Sequence, residues 1–196
     1  MLLPLLGWGL TGVVFLTKPG YAGAYEQLGP KLYPLDRGMQ IAPTGQWTDV
    51  RLVKTILGDH LLVKVDDDYR HLDPLSLTPI EPPSTDNLKR LVADAVADKN
   101  ARYGQITKVV DNVVYTSTGI EISVDWNRLA LRQRGRDTDL INLLYKIHYL
   151  QWTPSAVANT ALGVLGILFL LVLTVLGLNL YLQGRAARAV KRADLG

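Results

Sequence analysis

The stretch DTDLINLLYKIHYLQWTPSAVANTALGVLGILFLLVLTVLGLNLYLQGR, Asp137 to Arg185, decides the reading of this chain. After Lys146 no Asp, Glu, Lys or Arg occurs until Arg185, and Ala156 to Leu182 is almost purely apolar. At about 1.5 Å rise per residue this run makes roughly 40 Å of helix, more than the roughly 30 Å of hydrocarbon in a bilayer. A helix of a small soluble domain keeps polar residues on one face, and this one has no such face. The run predicts a transmembrane helix over residues 153–183. Thr153 stands where a cap is needed and Pro154 where proline suits the first turn. Tyr149 and Trp152 at one end, with Tyr181 at the other, fit interfacial aromatic belts.

Beyond the span, residues 184–196 carry Arg185, Arg188, Lys191 and Arg192 against the single acid Asp194. A short basic tail beside a span belongs in the cytoplasm, which places the residues before Thr153 outside. The expected location is therefore the inner (plasma) membrane, with a lipid bilayer as the first partner. Between Lys18 and Lys146 there are 17 basic and 17 acidic residues, so that region is neutral. A neutral domain lacks the concentrated basic face that nucleic acid requires. The chain has no cysteine, which excludes disulfides, thiol nucleophiles and Cys-ligated metals.

The N-terminus, MLLPLLGWGLTGVVFLTKPG, is a second apolar run. Residues 1–17 read as a first transmembrane helix at the lower limit of spanning length. A cleaved signal peptide is the rival reading, weakened by the lack of a basic start and of a clean small-x-small cleavage site. Gly7 and Gly12, with Gly9, would let a neighbouring helix approach closely. In the second span Asn159, Gly163, Gly166, Thr174 and Gly177 recur near one stripe and predict a packing face for the first helix or for a second copy of the chain.

Residues 18–48, rich in Pro and Gly, read as a tether. Residues 49–134 read as an α+β domain. VRLVKTIL and HLLVKV form a hairpin signal across Gly58-Asp59, and YRHLDPLSLTPI follows the acidic turn Asp66-Asp67-Asp68. After Pro82-Pro83, Ser84 or Thr85 caps a helix reaching Lys99, with Leu88, Leu91, Val92, Ala95 and Val96 on its apolar stripe. QITKVV, VVYTS and IEISVDW then predict three antiparallel strands, with turns at Asp111-Asn112 and Thr118-Gly119. The expectation is one antiparallel sheet with a helix packed on one face. Residues 135–152 form an amphipathic interfacial helix through Leu140, Leu143, Leu144, Ile147 and Leu150.

A helix followed by three antiparallel strands and flanked by spans resembles PepSY proteins with PepSY-associated transmembrane helices. YRHLDPLSLTPI (Tyr69–Ile80) is similar to the family's strand–Asp-Pro turn–strand signature, with Thr78 near the place of a usual glycine. LTGVVFL (Leu10–Leu16) and YKIHYLQW (Tyr145–Trp152) resemble its two membrane entries, and an Arg-Leu-His stretch before the first helix is missing. The resemblance implies a two-span protein with an extracytoplasmic PepSY-like domain. In that family a juxtamembrane histidine is associated with haem in membrane reductases, which makes His148 the cofactor candidate.

Read from the residues alone, His148 is either an axial haem ligand or an interfacial residue packing with Tyr145 and Trp152. His60 and His71, with Asp59 and Asp73 nearby, lack a metal-ligand spacing and read as solvated strand residues. Asp66-Asp67-Asp68 lacks the alternating calcium-loop pattern. Arg128, Arg132, Arg134 and Arg136 form a cluster for lipid headgroups or for holding the domain at the membrane. There is no G-x-S-x-G, no phosphate-binding loop and no H-E-x-x-H. The expected function is a non-catalytic binding module, without a cofactor, that contacts another membrane or periplasmic protein in regulation or assembly. The alternative is a haem b electron-transfer subunit of the iron-reductase type.

Overall fold

A computed structural model describes residues 2–36, 38, 41 and 46–193, with the backbone alone for residues 2–5 and 186–193. Pro43 and Gly45 of the expected tether, and Asp194 of the tail, lie outside the described residues. The chain divides into two compact units, Lys18–Ile141 and Met1–Thr17 with Asn142–Gly196. Its elements run α1 (Leu2–Thr17), α2 (Tyr21–Ala24), β1 (Trp47–Thr55), β2 (Gly58–Val65), β3 (Asp68–Leu72), α3 (Thr85–Val96), α4 (Asn100–Tyr103), β4 (Ile106–Val110), β5 (Val113–Thr116), β6 (Glu121–Asp125), β7 (Ala130–Arg134), α5 (Arg136–His148) and α6 (Ala156–Ala193).

The unit Lys18–Ile141 is α+β with two antiparallel sheets rather than one, in the orders β1-β2-β3 and β4-β5-β6-β7. The central strand β2 explains the first sheet. Leu61, Leu62 and Val63 are consecutive and all buried, so both faces of β2 are covered. Leu61 and Val63 pack with Leu72, while Leu62 turns to the main core. That core also takes Leu88, Leu91, Val92 and Val96 of α3 and Val114, Ile122 and Val124 of the second sheet.

Helix α3 starts where the sequence places it. The Ser84 hydroxyl accepts the Asn87 N–H at 3.4 Å, filling one vacant donor of the first turn. Leu91 and Val92 are fully buried, and such side chains contribute about 1.5–3 kcal/mol each. Two left-handed residues make the predicted turns of the second sheet, Asp111 at φ 51° and Gly119 at φ 80°.

Strand β7 was not among the expected strands. Within the arginine cluster, Leu131 and Gln133 point inward and Arg132 and Arg134 outward, which is a half-buried edge strand paired with β6. The expected tether also contributes to the fold. Ala24 and Leu28 are buried, Tyr33 donates its N–H to the Lys54 carbonyl at 2.9 Å, and β1 already begins at Trp47.

In the other unit, Ala156–Arg185 of α6 is long and apolar enough to cross a membrane, and none of it is buried within the chain. Helix α1, with 16 residues, rises only about 24 Å. Among the described residues one helix, not two, has spanning length. The cap differs from expectation as well. Ser155 accepts the Ala158 N–H at 3.3 Å, and the helix begins at Ala156. Thr153 is instead tied to Asn159, whose Oδ1 accepts the Thr153 N–H and hydroxyl at 3.0 and 2.9 Å.

Candidate functional site

The histidines of β2 and β3 meet inside the folded unit. His60 and His71 are each 3% exposed, which corrects the expectation of solvated strand residues. His60 Nδ1 lies 2.9 Å from His71 Nε2, and His71 Nδ1 lies 2.8 Å from the Trp126 carbonyl. A carbonyl only accepts, so His71 carries a proton on Nδ1, and in the neutral ring its Nε2 accepts. His60 must then donate from Nδ1, which leaves its Nε2 to accept the Thr55 hydroxyl at 2.8 Å. Thr55 Oγ1 in turn accepts the Leu57 N–H at 3.1 Å. The chain has one direction and leaves no ring nitrogen unused.

Burial works against the charged form of both rings. Burial, and then the neighbouring His71, push His60 down to about 4. Burial also lowers His71, against the opposing pull of the Trp126 carbonyl. The Trp126 indole packs at 4.2 Å from the His71 ring and 5.6 Å from the His60 ring, and donates its N–H to the Ile80 carbonyl at 3.1 Å. This aromatic triad locks the β2–β3 hairpin against the end of β6.

A cleft of about 440 Å³ opens beside His60 and Trp126, with an apolar floor of Leu57, Ile80 and Pro83. Asp59, Asp73 and Glu81 line it, together with Asn87. Asp73 builds the rim: its Oδ1 accepts the N–H groups of Leu75 and Ser76 at 2.9 and 2.8 Å. The Ser76 N–H and then its hydroxyl hold this carboxyl below its usual range. Leu77 closes the loop in the left-handed region at φ 56°. That is the position of unusual backbone in YRHLDPLSLTPI, one residue before Thr78.

Asp59 is the anomaly. Its Oδ1, like Asp94 Oδ2 and Arg102 Nη2, is buried and has no hydrogen-bond partner among the described residues. Lys54 faces Asp59 across the β1–β2 ladder but gives its ammonium to Asp36. A buried carboxylate oxygen left unpaired is costly, and native structures normally satisfy it.

A second polar knot joins the early segment to β7. Gln133 Nε2 donates to the Gly23 and Glu26 carbonyls at 2.8 and 3.1 Å, and Thr138 donates to the Ala24 carbonyl at 3.1 Å. Arg102 bonds Gln133 Oε1 at 3.0 Å and Asp137 at 2.9 Å. Burial and the hydrogen bond to Glu26 push the Tyr103 hydroxyl up to about 12. These bonds hold the fold together, although the buried Arg102 Nη2 has no hydrogen-bond partner among the described residues.

The other predicted site residues are distributed as follows. Arg134 pairs with Asp139 at 2.7 Å, and Arg128 lies over the Tyr69 ring at 5.3 Å with Asp125 at 3.8 Å. Arg132 and Arg136 are exposed. Asp66 and Asp67 form the β2–β3 turn, with Lys64 3.4 Å from Asp67. Among the described residues, no three His, Asp or Glu side chains converge to hold a metal ion.

In the unit that contains α1 and α6, His148 Nδ1 lies 2.8 Å from Thr11 Oγ1, whose hydroxyl is 2.7 Å from the Gly7 carbonyl. When the Thr11 hydroxyl donates to Gly7, His148 donates to it from Nδ1 and keeps its lone pair on Nε2. Phe15, Tyr149 and Trp8 surround the ring at 4.9, 5.3 and 6.2 Å. Of the predicted packing residues, Gly166 is faced by Trp8, whose ring would lie 3.1 Å from an added Cβ. Gly7, Gly12, Gly163 and Gly177 have nothing within 4 Å of that position. Thr174 bonds back to the Leu170 carbonyl at 2.8 Å, within its own helix.

Comparison with family models, with curated proteins and with solved structures finds no match for this chain.

Proposed function

We propose that this chain is a membrane-anchored binding module of the PepSY type. The unit Lys18–Ile141 stands outside the cytoplasm, α6 is the anchor, α1 is a second and shorter membrane element, and the basic C-terminus lies inside. Its role is to contact another membrane or periplasmic protein in regulation or assembly. The observation that carries binding is the cleft beside His60, where the buried Asp59 oxygen has no partner among the described residues. A group that packing alone would have satisfied or removed is instead held at the wall of a cavity of ligand-binding size. The topology rests on the apolar run of α6 and the basic residues after it.

Site-specific photo-crosslinking in native membranes tests the reading. A crosslinker at Asn87, in the cleft, should give one discrete adduct that the same crosslinker at Asn112, in the β4–β5 turn, does not give. Identical patterns from both positions would remove the cleft from the account.

A second reading is haem b electron transfer, favoured by one observation. Thr11 fixes the His148 ring through Nδ1 and leaves Nε2 as the lone-pair nitrogen. That arrangement suits a ligand to iron, since a partner on the second ring nitrogen sets orientation and basicity. His148 would hold the group, which supplies one-electron transfer when bound. His60 and His71 would not hold the group, because all four of their ring nitrogens are hydrogen-bonded within the folded unit. A visible spectrum of the purified protein separates the readings.

A further inference from the structure

We infer that the free edge of β7 takes an extended acidic segment of a partner protein as an added strand. The inference goes beyond the cleft beside His60, with which this surface shares no lining residue.

Strand β7 ends its sheet in the order β4-β5-β6-β7 and pairs with β6 alone. Among the described residues, no backbone group outside that pair bonds to Ala130–Arg134. An edge strand presents a row of N–H and C=O groups to any chain that lies beside it. Here a groove of about 800 Å³ accompanies the strand, lined by residues 130–133 and 24–28. Gln133 and Thr138 brace the second wall through their bonds to the Gly23, Ala24 and Glu26 carbonyls. Strand addition draws affinity from such backbone edges and specificity from side-chain pockets beside them. Leu28, Val124 and Leu131 supply the apolar part of that surface.

The charges select the occupant. Glu26 in the groove is taken by Lys99 at 2.6 Å and by the Tyr103 hydroxyl at 3.0 Å, and Asp125 lies 3.8 Å from Arg128. Arg132 is exposed, and among the described residues it is the one charged lining residue without an ion partner. Arg134, on the same face of β7, holds Asp139 in an exposed pair that contributes little and is readily exchanged. A second copy of β7 fits poorly. Antiparallel pairing centred on Arg132 or on Gln133 sets arginine opposite arginine, which is destabilising. Acidic side chains at alternate positions of an incoming strand meet Arg132 and Arg134 instead. A lipid phosphate answers only half of the edge, since it accepts hydrogen bonds and has no N–H for the β7 carbonyls.

The test uses the full chain in phosphatidylcholine nanodiscs, with a dye on a cysteine appended after Gly196, and reads binding by thermophoresis. Ac-Thr-Glu-Val-Glu-Val-Thr-NH2 should bind saturably. Its counterpart Ac-Thr-Lys-Val-Lys-Val-Thr-NH2 should bind at least about tenfold more weakly, as should the acidic peptide N-methylated at both glutamates and both valines. Arg132→Glu should weaken the acidic peptide by about tenfold. Lys108→Glu, on the opposite edge strand β4, should leave it unchanged. Arg132→Ala adds no repulsion, should weaken the acidic peptide about threefold, and serves as the variant if Arg132→Glu fails to fold.

Equal affinity for the acidic and lysine peptides would overturn the acidic occupant. Equal affinity for the N-methylated peptide would overturn strand addition in favour of a merely charged patch. Undiminished binding in a folded Arg132→Glu, or in Arg132→Ala where that variant replaces it, would overturn the site, and so would an equal loss in Lys108→Glu. Saturable binding of glycerol 1-phosphate without binding of the acidic peptide would overturn the protein strand in favour of a lipid headgroup. No saturable binding of any probe would overturn the inference outright, while the Asn87 crosslinker would still decide the cleft on its own.

Discussion

His60 donates from Nδ1 to His71 Nε2 at 2.9 Å, and the Trp126 carbonyl that accepts from the far side of His71 fixes that direction. Two neutral histidines are thereby built into the face of β2–β3 that meets the core. Protonating His71 would place a second proton between nitrogens that already share one, and protonating His60 would turn its Nε2 into a donor facing the Thr55 hydroxyl.

This relationship predicts acid sensitivity. His60 is pushed down to about 4 in the fold and returns to an ordinary value near 6.5 on unfolding. A histidine depressed by folding leaves stability intact above its unfolded value. As pH falls below about 6.5 the unfolded chain takes up the proton first, and stability declines until the folded value is reached. The full effect is on the order of 3 kcal/mol. Glu26 is held low by its hydrogen bond to Lys99. It acts in the same direction but over a lower window, losing its contribution as pH falls below the normal carboxylate range. Thermal melting in detergent between pH 7 and 4.5 should fall more steeply for the wild type than for His60→Gln. Parallel profiles would show that His60 does not titrate as described.

Helix α3 gives a packing prediction. Leu91 is fully buried in the main core, so Leu91→Ala should cost about 2–5 kcal/mol. Lys89 is exposed on the opposite face, and Lys89→Ala should change stability by less than about 0.5 kcal/mol. Equal melting temperatures for the two variants would contradict the packing of α3.

Gly104 is required at the turn before β4. It adopts φ 61°, and a Cβ there would lie 2.3 Å from the Ser117 hydroxyl oxygen. Left-handed strain and the clash add, so Gly104→Ala should cost at least about 1–2 kcal/mol. Gly58→Ala meets no atom within 4 Å and differs only through its φ of 116°. Denaturation of the two variants side by side should show the larger loss at Gly104 if the Ser117 clash matters.

For His148, the account predicts a protein without a Soret band. Thr11→Val should leave insertion intact, because α6 alone has spanning length. It removes the oxygen that accepts from Nδ1 and should lower stability by about 1–3 kcal/mol, as for any stranded donor. A stoichiometric Soret band that disappears in His148→Ala would instead establish the haem reading.

Much of the fold was legible in the sequence, and the failures have physical causes. The apolar run to Leu182, the Ser84 cap and the stripe of Leu88, Leu91, Val92 and Val96 are local patterns, and each appears where its periodicity put it. Strand β7 was missed because RLALRQRGR reads as a charge cluster, although Leu131 and Gln133 alternate with Arg132 and Arg134 as an edge strand should. The histidines were misread for a different reason. His60 and His71 each adjoin or lie near an acid, which suggests solvent, but β2 is covered on both faces. No local pattern announces a strand buried on both faces, one against the main core and the other against Leu72 and Trp47. The Thr11–His148 bond joins opposite ends of the chain and leaves no signal in either stretch. The two-span expectation treated residues 1–17 as long enough, and the helix Leu2–Thr17 falls short of a full crossing.

The central claim is an anchored module whose folded unit stands outside the cytoplasm, and sided labelling tests it most directly. The chain has no cysteine, so Asn112→Cys and a cysteine appended after Gly196 each provide a single thiol. Asn112 is exposed in the β4–β5 turn. In intact spheroplasts a membrane-impermeant maleimide should label Asn112→Cys at once, and should reach the C-terminal cysteine only after permeabilisation. Labelling of the C-terminal cysteine alone, or of both before permeabilisation, would contradict the account.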